Sequence, residues 1–261
     1  NQMRQKEKVK FDLTGKPVRS IHMDQNSKPN CLNHLVVGAS RGIGQSLVAS
    51  LSKGNDKVFG LSRTEPDSLP DGCNWITGNA NHPEGFLDQL PEVIHSLTFC
   101  PGKVILGPLK RLSVGQMLEA YQTSVIDAFT LIQALLPRLS DSSIVLISSV
   151  AAGTGLPNHC AISAAKSGLE GFALALAADL APKVRVNVVA PTLTPTEMGL
   201  AMVGGEKMIP LIENRHPLKR IPAVDEITGA ISFFHSPSAA SVTGQVLKVE
   251  SGLSTLRLND R

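Results

Sequence analysis

Three glycines occur at a spacing that could hold a phosphate. They lie in Gly38-Ala-Ser-Arg-Gly42-Ile-Gly44, between a short apolar run and an amphipathic stretch. A strand that enters a helix through such a turn places backbone N–H groups and the positive helix end against a pyrophosphate. Gly38 permits the turn, Gly42 lets the backbone approach the phosphate, and Gly44 allows close helix packing. We predict a dinucleotide site that also involves Ser40, Arg41 and Ile43. The alternative is a glycine-rich turn without a ligand.

The end of the second predicted strand indicates which dinucleotide binds. A carboxylate there would accept hydrogen bonds from the ribose 2′-hydroxyl of NAD. The chain instead has Ser62 and Arg63, and no acidic residue follows until Glu65. A guanidinium suits the 2′-phosphate of NADP, and Arg41 could contact the same phosphate. We therefore predict NADP(H) in preference to NAD(H); two solvated surface arginines are the alternative.

An alternation of strands and helices must position these residues. Parallel strands joined by right-handed helical crossovers are the expected result, so we predict an α/β fold with a doubly wound parallel sheet, the Rossmann fold. One domain is expected over residues 34–261. The polar residues 1–33 should form an appended arm or a partly disordered segment. The predicted strands are Leu35–Val37, Lys57–Leu61, Asn74–Thr77, Glu92–Phe99, Ser143–Ser148, Arg185–Ala190 and Gln245–Val249; the predicted helices are Ile43–Ser52, Val114–Leu139 and Cys160–Leu180.

Composition narrows the function classes. With 261 residues, 42% of them hydrophobic and 18% charged, the chain can build one large core. A net charge of +3 is too small to indicate nucleic-acid or membrane partners, and no run reaches the ~18 apolar residues of a membrane span. We expect a small-molecule substrate. The cysteines Cys31, Cys73, Cys100 and Cys160 show no metal-ligand spacing, which predicts reduced thiols, a cytoplasmic location and no metal.

Three further motifs follow the glycine turn in order. They are Val145–Val150 (VLISSV), Asn187–Met198 (NVVAPTLTPTEM) and Val242–Gly252 (VTGQVLKVESG). Together with the turn they resemble the short-chain dehydrogenase/reductase family over roughly residues 35–254, and the bacterial β-ketoacyl-carrier-protein reductases are the nearest branch. The resemblance implies a nicotinamide cofactor. It also implies assembly through the two long helices and the last strand, as a homotetramer or, second, a homodimer.

The resemblance assigns further cofactor contacts and shows several departures. Asn79 stands where the family has an aspartate at the adenine, and Cys100 begins the segment that the family writes Asn-Ala-Gly. Ser124 replaces a helical asparagine, and Thr192 replaces a glycine after Pro191. The cofactor residues that the resemblance implies are Asn79, Ala80, Gly102, Lys166, Pro191, Thr192, Leu193 and Thr194.

The largest departure concerns proton transfer. The family uses Tyr-x-x-x-Lys, in which tyrosine transfers the proton and lysine holds the nicotinamide ribose, but this chain has Ile162 four residues before Lys166. Ser149, thirteen residues before Ile162, matches the catalytic serine. Isoleucine has no titratable group and cannot donate a proton. Tyr121, the chain's single tyrosine, lies on a different predicted helix and is expected to be a core aromatic.

His159 and Cys160 are the candidates for a replacement donor near the lysine. His159 precedes Lys166 by seven residues, which resembles the Tyr-x6-Lys arrangement of enoyl reductases; a helix-start histidine without a role is the alternative. Two functions remain open. One is an NADPH-dependent reductase of a carbonyl or activated alkene with a non-standard donor. The other is a catalytically silent dinucleotide-binding homologue acting as a structural or regulatory subunit. We favour the enzyme, with its substrate shaped by a loop over Leu193–His216.

Overall fold

A computed structural model describes residues 31–66, 68 and 70–258. Its seven strands form one sheet in the order β3-β2-β1-β4-β5-β6-β7, and every neighbouring pair is parallel. The predicted doubly wound Rossmann fold is therefore confirmed. Most of the predicted arm lies outside the described residues. The strands are β1 Asn33–Val37, β2 Lys57–Ser62, β3 Cys73–Thr77, β4 Ser96–Phe99, β5 Ser142–Ile147, β6 Val184–Pro191 and β7 Val246–Val249.

Helices cover both faces of this sheet. Side chains alternate along each strand, so Val36 packs into the core beneath α1 and α7, while Leu35 and Val37 pack into the larger core beneath α3 and α4. A π-helical turn, Gln122–Ile126, joins α2 to α3. The helices are α1 Gly42–Leu51, α2 Val114–Tyr121, α3 Asp127–Leu135, α4 Cys160–Leu180, α5 Glu197–Val203, α6 Ile209–Glu213 and α7 Val224–His235.

The strand order reverses between β1 and β4, where a crevice opens at the carboxyl ends of the strands. The turns that follow these two strands meet there. A Cβ on Gly38 would lie 3.2 Å from the Pro101 nitrogen, so a side chain at Gly38 would press against the second turn. The fold thus places the predicted phosphate turn at the position where doubly wound sheets bind ligands.

Two predicted elements differ from the structure. β4 begins at Ser96 and not at Glu92, because the preceding segment is tied to the end of a helix: the Arg138 guanidinium donates to the carbonyls of Leu90 and Pro91, at 2.9 and 2.8 Å. The predicted helix Val114–Leu139 is interrupted by the π-helical turn and narrows to a 3₁₀ turn after α3.

The carboxyl-terminal third holds more helix than the sequence patterns predicted. The stretch Leu193–His216, expected to be a loop, contains α5 and α6. The helix α7 was not predicted, although Ile227, Ile231 and Phe234 repeat at helical spacing and are all buried.

The helix α4 has the length and the mean hydropathy, 1.2, of a membrane-spanning segment. In the structure it packs on the sheet, with Leu169, Ala173 and Ala177 in the core. Buried core helices of this kind have the same apolar composition as membrane-spanning helices.

Candidate active site

The glycine turn after β1 has the geometry that its sequence predicts. Gly38 and Gly42 adopt φ values of +76° and +58°, a region that favours glycine. A Cβ on Gly44 would lie only 2.3 Å from the Gly38 carbonyl oxygen, so no other residue allows α1 to start so close to the turn. Arg41 is the N-cap residue of α1, but its side chain makes no hydrogen bond to the first N–H groups of the helix. Those groups remain available to phosphate oxygens.

A cavity of about 480 Å³ lies at the carboxyl ends of the central strands. It brings together the nicotinamide end of the predicted cofactor site and all the predicted catalytic residues. The predicted residues that line it are Ile43, Gly102, Ser149, His159, Lys166, Pro191, Thr192, Leu193 and Thr194. The rest lie outside it, in the glycine turn and at the ends of β2 and β3: Gly38, Ser40, Arg41, Gly42, Gly44, Ser62, Arg63, Asn79 and Ala80.

Lys166 is buried in the cavity wall on α4. Its Nζ donates to the Ile147 carbonyl at 2.7 Å, and a Cβ on Gly102 would lie 3.1 Å from the same atom. Burial lowers the pKa of Lys166 to about 8, although the nearby Cys100 thiol and Glu170 carboxylate act in the opposite direction. The ammonium group that the resemblance assigns to the nicotinamide ribose thus lines the cavity.

The Cys100 thiol lies beside Lys166. Burial raises its pKa to about 12, against an opposing effect of the Lys166 charge. A thiol in this state stays protonated near neutral pH, and the thiolate is the reactive form.

The side chain of Ile162 lines the cavity one helical turn before Lys166 and is 4% exposed. An alkyl group therefore stands where the resemblance places a phenol. Ser149 lines the same cavity, and its Oγ accepts from the Ala151 N–H at 3.2 Å, which leaves the hydroxyl proton free to donate. Ser124 lies in the π-helical turn, fully buried, and its Oγ finds no partner among the described residues.

His159 is the titratable side chain of the cavity that could replace the phenol. Its Nδ1 lies 2.6 Å from the Pro157 carbonyl oxygen, so this nitrogen donates and Nε2 remains for a ligand.

Tyr121 is 41% exposed and its ring lies against Gly168, where a Cβ would come within 2.9 Å. The prediction that Tyr121 is a core aromatic is therefore wrong, because it lies at the exposed edge of a helix contact. It does not line the cavity, nor does Cys160.

The residues at the adenosine end lie on the exposed edge of the crevice. Arg63 directly follows β2 and is exposed, and the buried Ser62 hydroxyl donates to the Thr64 carbonyl. Arg41 is also exposed, and its guanidinium lies 3.9 Å from the Glu197 carboxylate of α5. Both cations are therefore accessible to an anionic ligand.

Several cavity residues were not predicted individually, and many of them come from the segment Leu193–His216, which the sequence analysis expected to shape the substrate. Thr196, which caps α5, lies close to the glycine turn: a Cβ on Gly42 would be 3.3 Å from its methyl group. His216 is buried, with Nε2 3.1 Å from the Thr192 hydroxyl. Thr196 directly precedes Glu197, and a threonine followed by an acidic residue in the first helical turn is a recognisable capping signal. No sequence signal singled out the others individually: Val104, Leu106, Val150, Leu156, Met198, Met202, Val203, Ile212, Arg215 and Leu253.

Comparison with known proteins places the chain among enzymes of this architecture. A family model described as enoyl-(acyl carrier protein) reductase matches residues 82–254. The L-xylulose reductase of Caenorhabditis elegans is 30% identical over 237 residues, covering 84% of this chain and 94% of the relative. The chain belongs to the short-chain dehydrogenase/reductase family. The 3-oxoacyl-[acyl-carrier-protein] reductase of Vibrio cholerae is 28% identical over 235 residues, covering 84% of this chain and 96% of the relative.

Solved structures share the fold of this family member over most of its length. The aldohexose dehydrogenase of Thermoplasma acidophilum superposes with a TM-score of 0.81 at 25% identity, covering 88% of this chain and 97% of that one. Actinorhodin polyketide ketoreductase, solved with NADPH, gives 0.78 at 24% identity, covering 87% and 98%. The named relatives are oxidoreductases, which is the class that this chain joins. No metal-binding group of His, Cys, Asp or Glu occurs within residues 31–66, 68 and 70–258.

Proposed function

We propose that this family member is an NADP(H)-dependent oxidoreductase that reduces the carbonyl group or activated alkene of a small molecule, with His159 as the proton donor. The observation that carries the proposal is the shared cavity: His159, Ser149 and Lys166 all line it, next to the glycine turn. Its four cysteines are free in the structure, and we propose the cytoplasm as its location.

The chain's residues divide the work of carbonyl reduction among them. The nicotinamide supplies a hydride when it is bound. Lys166 holds the ribose through its ammonium group, and Ser149 donates a hydrogen bond to the substrate oxygen. His159 holds a proton on Nε2 when the ring is cationic, because Nδ1 already donates to Pro157. Transfer of that proton to the developing alkoxide leaves a neutral imidazole and an alcohol.

The decisive experiment compares the rate of NADPH-driven reduction by the wild type with the rate by His159→Ala. The variant should lose roughly 10²-fold or more in rate, because it lacks the proposed proton donor, while its NADPH affinity stays unchanged. His82→Ala, an exposed histidine outside the cavity, is the matched control. Full activity in His159→Ala would show that water or another group donates the proton.

The second candidate function is the silent homologue, and Ile162 is the observation that favours it. An alkyl group at the reacting position supplies no acid, while the glycine turn and Lys166 could still bind the dinucleotide. Calorimetry that shows NADPH binding, together with no turnover of a broad panel of ketones and enoyl thioesters, would establish this function and overturn the enzyme proposal.

The cofactor preference has its own test. Arg63 and Arg41 are exposed and could reach a 2′-phosphate, and a charge-assisted hydrogen bond contributes about 1.5–3 kcal/mol. We expect NADPH to bind roughly tenfold or more tightly than NADH, and Arg63→Ala to narrow this difference. Isothermal calorimetry measures both dissociation constants. Equal values for the wild type would contradict the preference.

A further inference from the structure

Besides the residues that the resemblance assigns to the cofactor, the cavity has a wall of apolar side chains. This wall comes from four places in the chain: the loop after β4, the segment after β5, the helices α5 and α6, and the residues after β7. Its aliphatic and thioether side chains are Val104, Leu106, Val150, Leu156, Met198, Met202, Val203, Ile212 and Leu253. Side chains of this kind stabilise a bound hydrocarbon by burying its apolar surface, and they offer no hydrogen bonds to the hydroxyl groups of a sugar.

The polar groups on this side of the cavity largely satisfy one another. The His216 ring uses both nitrogens, with Nδ1 2.8 Å from the Ile212 carbonyl and Nε2 3.1 Å from the Thr192 hydroxyl. Thr194 donates to the Thr192 carbonyl at 3.1 Å. These groups hold the segment after β6 in place and leave little hydrogen-bonding capacity for a polar ligand.

The charges in the cavity wall have one sign. Lys166 and Arg215 line it, and no aspartate or glutamate does so among residues 31–66, 68 and 70–258. Lys166 is buried at the cofactor end, whereas Arg215 is exposed beside α6 and forms no salt bridge within the described part of the chain. An anionic group on the ligand would gain a guanidinium partner there, and an ammonium group would meet two cations.

We propose that the cavity takes a hydrophobic oxo acid: an apolar body against Met198, Met202 and Leu156, with a carboxylate on Arg215. This substrate class rests on the proposed reductase function for its reaction. The binding itself requires only the cavity and can be measured without turnover.

The test uses three probes of equal chain length, decanoate, decanol and decylamine, titrated below their micellar concentrations by calorimetry with and without NADPH. Decanoate should bind best, decanol roughly tenfold or more weakly, and decylamine not measurably. Arg215→Met should reduce the affinity for decanoate to that for decanol and leave decanol unchanged. Lys183→Met, an exposed cation before β6 and outside the cavity, should change neither.

A second variant tests the apolar wall independently. Met202→Glu places a carboxylate in the wall at a partly exposed position, where the chain can fold around it, and should weaken both decanoate and decanol at least tenfold. If decylamine or decanol bound as tightly as decanoate, the proposed contact between a carboxylate and Arg215 would be wrong. No binding of any probe would overturn the inference entirely. Failure of NADPH to bind, with decanoate still selected through Arg215, would instead overturn the proposed reductase and leave this ligand class standing.

Discussion

Ile162 and Lys166 lie one turn apart on α4 and both reach the cavity, so a phenol at Ile162 would enter the space beside the lysine. We expect Ile162→Tyr, made together with His159→Ala, to restore roughly 10²-fold or more of the rate lost in His159→Ala alone. Initial rates of NADPH oxidation measure this.

Ile162→Phe is the matched control, since it has the same ring without the hydroxyl. If the phenylalanine variant recovered as much activity as the tyrosine variant, packing and not proton donation would explain the gain. If neither recovered while NADPH bound normally, the site would lack the remaining parts of a reductase.

At this same scale, the sequence revealed the residues that belong to local motifs and missed those that do not. Gly42, Ser149 and Lys166 lie in short patterns whose chemistry depends on neighbours in the chain. Met202 and Arg215 reach the cavity only because α5 and α6 fold over the end of β6. The sequence analysis placed both in the segment Leu193–His216 that was expected to shape the substrate, but nothing in their own neighbourhoods singles them out. Only the tertiary structure identifies these two residues as part of the cavity wall.

The helix α4 carries an energetic cost because it buries the charged side chain of Lys166. Burial lowers the pKa of Lys166 from 10.5 to about 8, which corresponds to a penalty on the order of 3 kcal/mol for holding the charged form. The lowered pKa means that the folded protein binds fewer protons than the unfolded chain between about pH 8 and the ordinary lysine value. The penalty is fully present below pH 8 and is relieved as the pH rises through that window.

Lys166→Met should therefore stabilise the protein at pH 7, by about 1–2 kcal/mol once the lost hydrogen bond to Ile147 is counted. The difference from the wild type should shrink as the pH approaches 10. Urea unfolding at pH 7 and pH 9.5 measures both effects, and NADPH binding should be lost. A variant less stable than the wild type at pH 7 would show that the hydrogen bond outweighs the buried charge.

Elements were predicted well where hydrophobic periodicity alone decides them and poorly where other contacts intervene. All six residues of β5 are buried, as is usual for a strand covered on both faces of a parallel sheet. Its continuous apolar run was therefore enough to locate the strand in the sequence. The start of β4 depends on Arg138, 42 positions further along the chain than Ser96, which binds the preceding carbonyls. The π-helical turn around Ser124 likewise has no local pattern of its own.

Among the described residues, two groups of exposed apolar side chains lie on the elements that the resemblance assigns to subunit contacts. The first lies on α2, α3 and α4, where Leu118, Phe129 and Leu174 are 65%, 44% and 61% exposed. The second is β7, the edge strand, where Val246 and Leu247 are 40% and 39% exposed. Exposed patches of this kind usually mark subunit contacts, and two separate patches can build a tetramer from two kinds of dimer.

We expect a homotetramer, with a homodimer second. Phe129→Asp and Leu247→Asp should each reduce the mass measured by light scattering at micromolar concentration, to a dimer if the wild type is a tetramer. Leu109→Asp, at a position 73% exposed on neither surface, serves as the control. A monomeric wild type would contradict the prediction.

The edge strand β7 is followed by a tail that reaches the cavity. Four residues after β7, Leu253 forms part of the cavity wall, and the Leu218 N–H donates to the Ser251 carbonyl at 3.2 Å, which ties this tail to the end of the segment that carries α6. In an assembly joined across β7, the same short stretch of chain would touch both the ligand and the neighbouring subunit. Occupancy of one site would then bias the affinity of the next, so saturation curves would be sigmoidal or show two classes of site.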